Sequence, residues 1–357
     1  DNNVAVGYQA LDALTTANNN VAIGYQALSG EVAGDRNTAV GSGALQTQSS
    51  ATTADVYNTA VGYTAGQLVT TATNLTLIGN ACGDVLTTGS ANTAVGSFAL
   101  TSMTEGQDNV AIGTSALDVD TLGNKTVAIG RNALGGQNFT TSTDSYNVAI
   151  GYDAGKAVTT GVSNTLIGGL AGDALTTGSH NVAIGDSSLK VQNFTTATDT
   201  YNVAVGDSAG EAVTTGIRNT IIGAEAGDAL TDADHNVALG FRALSGDTKG
   251  SKSIAIGDVA LFSQNFTTST DAYNIAIGHE AGNQATTATQ NTLIGALAGD
   301  AITTGGSNVV LGMKALTTET EGSTAVAIGY SALEAQNMGA ATANYNVAVG
   351  YKAGEAV

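Results

Sequence analysis

The sequence predicts an all-β chain folded as a parallel β-solenoid of about twenty short coils. Two observations predict it. A five-residue phrase, Asn-Val-Ala-Val-Gly at residues 3–7, recurs with small variations twenty times, its glycines running from Gly7 to Gly350 at spacings of 17 or 21 residues only. Inside the phrase β-branched residues alternate with small ones and a glycine closes the run, which is the pattern of a short strand followed by a turn. A repeat this strictly phased builds units that bury their faces only by stacking on their neighbours. It fills residues 1–357, so the chain reads as one repetitive domain.

Each element follows from its place in the phrase. The residue before the glycine is Val, Ile or Leu, and two residues earlier it is mostly Val, Ile or Thr. These two share one strand face, while the intervening Ala and the leading Asn share the other. A 17-residue unit is too short for a helical repeat and suits one coil with two short strands and two turns. A helix over residues 10–14 is disfavoured because the glycine spacing leaves it no length to become stable. Coils in equal phase stack about 4.8 Å apart, so equal positions form ladders. The leading Asn is kept in sixteen copies, including Asn20, Asn147, Asn181, Asn202 and Asn236, and gives way to Leu75, Thr126, Ser253 and Ala325. A stacked Asn amide bonds the next coil and its own turn. Three residues after the glycine stands Ala in eighteen copies, with Cys82 and Ser188 in the other two. The site is therefore tight, and Cys82 is an alanine substitute rather than a reactive thiol. Four copies carry a large residue in place of the phrase Ala, namely Leu77, Leu166, Ile221 and Leu293. All four have glycine at the site six residues later, Gly83, Gly172, Gly227 and Gly299. A volume exchange within one packed layer is expected.

The 21-residue steps end at Gly62, Gly151, Gly206, Gly278 and Gly350, and each places a Tyr directly before the Asn of the phrase: Tyr57, Tyr146, Tyr201, Tyr273 and Tyr345. Three of these loops read Gln-Asn-Phe-Thr-Thr, at residues 137–141, 192–196 and 264–268. Insertions in a solenoid become loops, and loops are where binding concentrates. The candidate binding residues are therefore Phe139, Tyr146, Phe194, Tyr201, Phe266 and Tyr273. Two readings stand for the tyrosines: shielding of turns and coil ends, or aromatic platforms for glycans. The loop acids Asp55, Asp144, Asp199 and Asp271, with Asp84, Asp173, Asp228 and Asp300, raise Ca2+ as a ligand, though no segment has the dense acid spacing of a calcium loop. Solvated turn acids are the plainer reading. Asn74, Asn124, Asn138, Asn193 and Asn265 fit the glycosylation pattern. No cofactor motif and no acid–base constellation stands out, since His180 and His235 fall at the variable site before the Asn and His279 where Tyr is common. An enzyme is not expected.

A net charge of −19 argues against nucleic acid and anionic membrane as partners. The chain has no apolar run long enough for a transmembrane helix. It starts and stops inside the repeat, which suggests a fragment or a unit of a longer fibre. A 17-residue coil is thin, and Ala5, Ala22 and Ala39 put apolar surface on the nominally outer face as well. Both faces call for burial, so chains are expected to associate side by side, with three as the simplest closed arrangement.

The phrase as it stands at residues 20–24 (Asn-Val-Ala-Ile-Gly) and 253–257 (Ser-Ile-Ala-Ile-Gly) resembles the head repeats of trimeric autotransporter adhesins of the YadA type, and similar repeats occur in phage tail fibres. The resemblance covers all twenty coils. It implies a left-handed β-roll, a trimer, and an extracellular place on a cell or virion surface. The 17- and 21-residue periods and the Ala-Leu or Ala-Gly second half depart from the usual head repeat. The expected function is a structural, adhesive surface fibre that displays loops to a cell-surface glycan or protein receptor. Two alternatives are a self-assembling extracellular filament and a monomeric solenoid binding ice or polysaccharide through Thr pairs such as Thr87-Thr88, Thr176-Thr177 and Thr303-Thr304.

Overall fold

A computed structural model describes residues 2–52 and 54–356. The described residues contain no helix and twenty three-residue strands, one per phrase, from Val4–Val6 to Val347–Val349. The chain gathers into two units, Asp1–Ser179 with Thr195–Thr198, and His180–Phe194 with Asp199–Val357. Each unit holds ten of these strands. In the first, successive phrases pair in parallel and in register, Val4 opposite Val21 and Ala149 opposite Leu166. The second unit follows the same rule, with Ala276 opposite Leu293 and Val326 opposite Val347. The longer steps do not disturb register, since Thr38 pairs with Thr59 and Val182 with Val203. Four extra residues therefore leave the coil as a loop. Each unit is a parallel β-solenoid, as the glycine spacing predicts.

The second half of the coil differs from expectation. A second paired strand forms only beside the longer loops, as in Gly34–Asp35 with Ala54–Asp55, Gly123–Asn124 with Thr143–Asp144, and Gly250–Ser251 with Thr270–Asp271. In the other described coils that half is a series of turns, laced to the next coil by bonds such as Leu28 N–H to Ala44 O (2.9 Å) and Thr70 N–H to Thr87 O (3.0 Å). The cause is the backbone. Alternate residues after the phrase glycine take left-handed angles, such as Gln26 (φ 55°) and Leu28 (φ 50°), which interrupt both strand and helix. Leu11, at φ 55°, removes the helix over residues 10–14 in the same way.

The two strand faces are also reversed from the expected sense. Ala22 and Ala39 are fully buried, while Ile23 is 39% exposed and Val40 is half-buried. The interior is too thin for stacked Val and Ile, so it takes the methyl of Ala beside the Asn ladder. The larger side chains turn outward and stack rung on rung. Both faces are apolar, as expected, but Val and Ile, not Ala, form the outer one.

The layer next to the phrase Ala is filled by the Ala three residues after the glycine and by Leu one residue further on, as with Ala27 and Leu28 or Ala243 and Leu244, all fully buried. The expected volume exchange is present. A methyl built on Gly172 would lie 2.9 Å from Leu166 Cδ2, and one on Gly299 2.9 Å from Leu293 Cδ2. The large residue reaches the preceding coil too, where a methyl on Gly155 would lie 2.6 Å from Leu166 Cδ1. One Leu thus replaces two missing side chains. The phrase glycine is fixed by two separate demands. At Gly206 φ is 140°, and a methyl there would stand 2.6 Å from both the carbonyl carbon and the oxygen of Gly223.

Candidate surface site at the longer loops

Asn20, Asn147, Asn181, Asn202 and Asn236 are all buried. The ladder works through the backbone of the next coil. Asn20 Oδ1 accepts from Asn37 N–H (2.8 Å), and its Nδ2 donates to Gly34 O, fourteen residues on (2.9 Å). Asn202 does the same with Asn219 N–H and Gly216 O, and Asn219 with Asn236 N–H and Ala233 O. In a 21-residue coil the fourteenth residue lies in the inserted loop. Asn37 opens such a coil, and its buried Nδ2 has no partner. Thr126, Ser253 and Ala325 open three of the others, and each still donates its own N–H to the preceding rung, to Oδ1 of Asn109, Asn236 and Asn308. Three of the four ladder departures therefore sit where an Asn amide would lose its acceptor. Leu75, the fourth, is buried and also holds to Asn58 Oδ1.

The loops are anchored by buried carboxylates that pattern reading misses. Glu31 Oε1 accepts from Gly34 N–H (2.7 Å) and Ser50 N–H (2.9 Å), and Oε2 from Gln48 Nε2 (2.7 Å), whose Oε1 takes Asn58 Nδ2 (2.8 Å). Asp120 holds Gly123, Phe139 and Gln137, and Gln137 passes the chain to Asn147. Asp247 with Gln264 and Asn274, and Glu319 with Gln336 and Asn346, repeat it. Burial pushes the Asp120 carboxyl up, and its four hydrogen-bond donors pull the other way. The sequence does carry the signal: every loop Gln has an acid seventeen residues earlier, except Gln192, which has Leu175. Gln192 is fully buried, and neither polar atom of its side chain has a partner.

The loop aromatics divide. Phe139 and Phe266 are 5% and 6% exposed, so they are not platforms for a glycan. They plug the space over Gly123 and Gly250 beside the buried acids, where a methyl would lie 3.0 Å and 2.7 Å from their rings. Phe194 is half-buried. Tyr146, Tyr201 and Tyr273 are about half exposed, at 56%, 49% and 49%. Each lies one rung from a basic residue, and Tyr146 and Tyr273 share an acid with it. Lys125 Nζ sits 5.3 Å from the Tyr146 ring and 2.5 Å from Asp144, to which Tyr146 Oη also donates (3.2 Å). Lys252, Asp271 and Tyr273 repeat this, and Arg36, Asp55 and Tyr57 form the same contacts. His180 stacks on Tyr201 at 5.0 Å and pairs with Asp199 (3.1 Å). The lysines hold the carboxyls of Asp144 and Asp271 below their ordinary range. The loop acids thus face cations and tyrosines, not one another. Among the described residues no three His, Cys, Asp or Glu side chains converge as a metal set.

Other sequence candidates resolve as structure. Cys82 is buried, donates to Ala94 O (3.4 Å), and burial pushes its thiol up to about 12. Thr87 and Thr303 donate their hydroxyls to Thr104 O and Thr320 O of the next coil. One cavity of about 340 Å3 lies among Asp118, Val119, Asn132, Gly135, Gly136 and Lys156, over a bare glycine pair, and Lys156 is turned to Asp153 (3.1 Å). No protein-family model matches the chain, and no curated protein matches it.

Proposed function

We propose that the chain is the rigid part, shaft or head, of an oligomeric surface fibre that attaches to a cell or other surface. The observation that carries this is the outward stripe of Val, Ile and Leu. In the first unit Ile112 and Ile150 stand 36% and 37% exposed in the middle of the stack, and in the second Ile222, Leu239 and Val309 stand at 36%, 41% and 42%. An apolar row repeated at every rung is a partner surface. A second copy has the same rung spacing and so matches it along its length. The YadA-type resemblance favours three copies and an extracellular location. Function is then geometric: a stiff scaffold holds the Tyr-bearing loops in multiple copies, and weak contacts to a glycan or protein receptor sum by avidity.

The test is a charge on the stripe. Ile150→Asp with Ile222→Asp removes no interior contact, so circular dichroism should be unchanged while the assembly falls to single chains. A variant that keeps the wild-type mass argues that the stripe is not the interface.

A further inference from the structure

The chain has only eleven Lys and Arg residues and three His, yet four of these fourteen stand in one column of the second unit. The column is the position directly before the phrase Asn. On successive rungs it reads His180, Tyr201, Arg218, His235, Lys252 and Tyr273, aromatic rings and bases without interruption. All six take left-handed angles, φ 52° to 63°, and all but the half-buried Lys252 are exposed. Rung contact is direct: Arg218 N–H bonds Thr200 O (2.8 Å), His235 N–H bonds Ile217 O and Lys252 N–H bonds Asp234 O (both 3.0 Å). The side chains stack as well. His180 lies on Tyr201, Arg218 Nη1 meets His235 Nε2 at 3.3 Å, and Lys252 lies 5.2 Å from the Tyr273 ring.

We propose that this column binds a linear acidic polysaccharide, a chain of uronic or sulfated sugars laid along the solenoid edge. The proposal rests on the surface-attachment reading and names the class of partner.

Charge decides the matter. The two ends of the column are matched internally, His180 by Asp199 (3.1 Å) and Lys252 by Asp271 (2.6 Å). The centre is not. Among the described residues Arg218 forms no ion pair, and its guanidinium meets another base, His235. The nearby acids are otherwise engaged: Asp234 accepts Ile217 N–H (2.8 Å), Asp232 faces Lys249 (3.7 Å), and Asp271, which His235 also faces, is paired with Lys252 (2.6 Å). Arg218 is left with donors in a planar fork that suits a carboxylate or sulfate. Six rungs at about 4.8 Å span roughly 24 Å, long enough for several sugars. Tyr201 and Tyr273 flank the centre with ring surface and hydroxyls for sugar faces, as expected of amphipathic aromatics at binding surfaces. A single-stranded nucleic acid fits less well, because its bases need free ring faces to stack on and both tyrosine rings already carry a neighbour on one face.

The test uses the full chain and fluorescent polygalacturonate oligomers read by anisotropy, with neutral dextran and an oligothymidylate as comparisons. The wild type should bind polygalacturonate, weaken as salt is raised from about 50 to 300 mM, and ignore dextran. Arg218→Asn with His235→Asn keeps a residue that tolerates the left-handed backbone. It should lose about tenfold or more in affinity. Lys314→Asn, which stands outside the column, should lose nothing. No binding, equal loss in the Lys314 variant, or tighter binding of the oligothymidylate would overturn the proposal. Light scattering on the same samples separates the two readings: an intact assembly that fails to bind sinks the column alone, while a single chain that binds sinks the fibre.

Discussion

Asn37 and Asn92 carry the same side chain at the same rung position and should respond unequally to truncation. Asn92 Nδ2 reaches Gly106 O (2.8 Å) and its Oδ1 takes Asn109 N–H (3.0 Å). Asn92→Ser removes that bridge and should cost about 1–3 kcal/mol in chemical denaturation, the penalty for orphaning buried partners. Asn37 has an unpartnered Nδ2 and only its Oδ1 bond from Asn58 N–H (3.1 Å) to lose, so Asn37→Thr, the residue found at position 126, should cost less than Asn92→Ser. Gln137 and Gln192 form a second such pair. Gln137→Leu breaks the Asp120–Gln137–Asn147 chain and should destabilise by a similar about 1–3 kcal/mol, whereas Gln192→Leu removes two orphaned buried atoms and should leave the melting temperature equal or higher. If both glutamines respond alike, the acid relay is not what holds the loops. The ladder is legible in the sequence because a stacked Asn has one obvious use. The relays are less plain: the acid and Gln recur seventeen residues apart in the sequence, but acid, Gln and Asn are joined only when the chain is wound. The departures at Thr126, Ser253 and Ala325 are visible in sequence, but their reason, a carbonyl displaced by the longer coil, is a property of the fold.

At the scale of the coil, strand and register are legible in the sequence and the sense of the faces is not. Period-2 alternation separates Val and Ile from Ala and Asn but does not say which set is inside. The radius of a 17-residue coil decides, since it admits methyl groups and one ladder of amides. The second half also escapes pattern reading, because left-handed angles at residues such as Leu28 carry no residue signature when the neighbouring rung fixes them. The Leu and Gly exchange is legible, since a gain in volume at one position matched by a loss at another points to a shared packed layer. It can be tested in a cycle. Leu166→Ala should cost about 2–5 kcal/mol, the range for emptying a buried Leu site. Gly172→Ala should also destabilise, both from its φ of 59° and from contact with Leu166. The double variant should cost less than the sum, because the smaller residue 166 makes room for the methyl. Additive costs would show that the two sites do not share the layer.

At the scale of the whole chain, each unit packs its own interior and leaves an apolar outer face half in water. Ala, Asn and Leu ladders are packed and bonded within the units, while Val and Ile stand half in water at rung after rung. The loops, expected to present Phe and Tyr together, present Tyr without Phe139 and Phe266, which plug the space over the buried acids. The outward stripe is proposed as an interface between copies. The measurement that tests it most directly is the mass of the wild-type protein by light scattering after size exclusion. An assembly is expected, with three times the chain mass of 35.2 kDa as the favoured value. A stable single chain of that mass, at concentrations where the Asp variants behave identically, would contradict it.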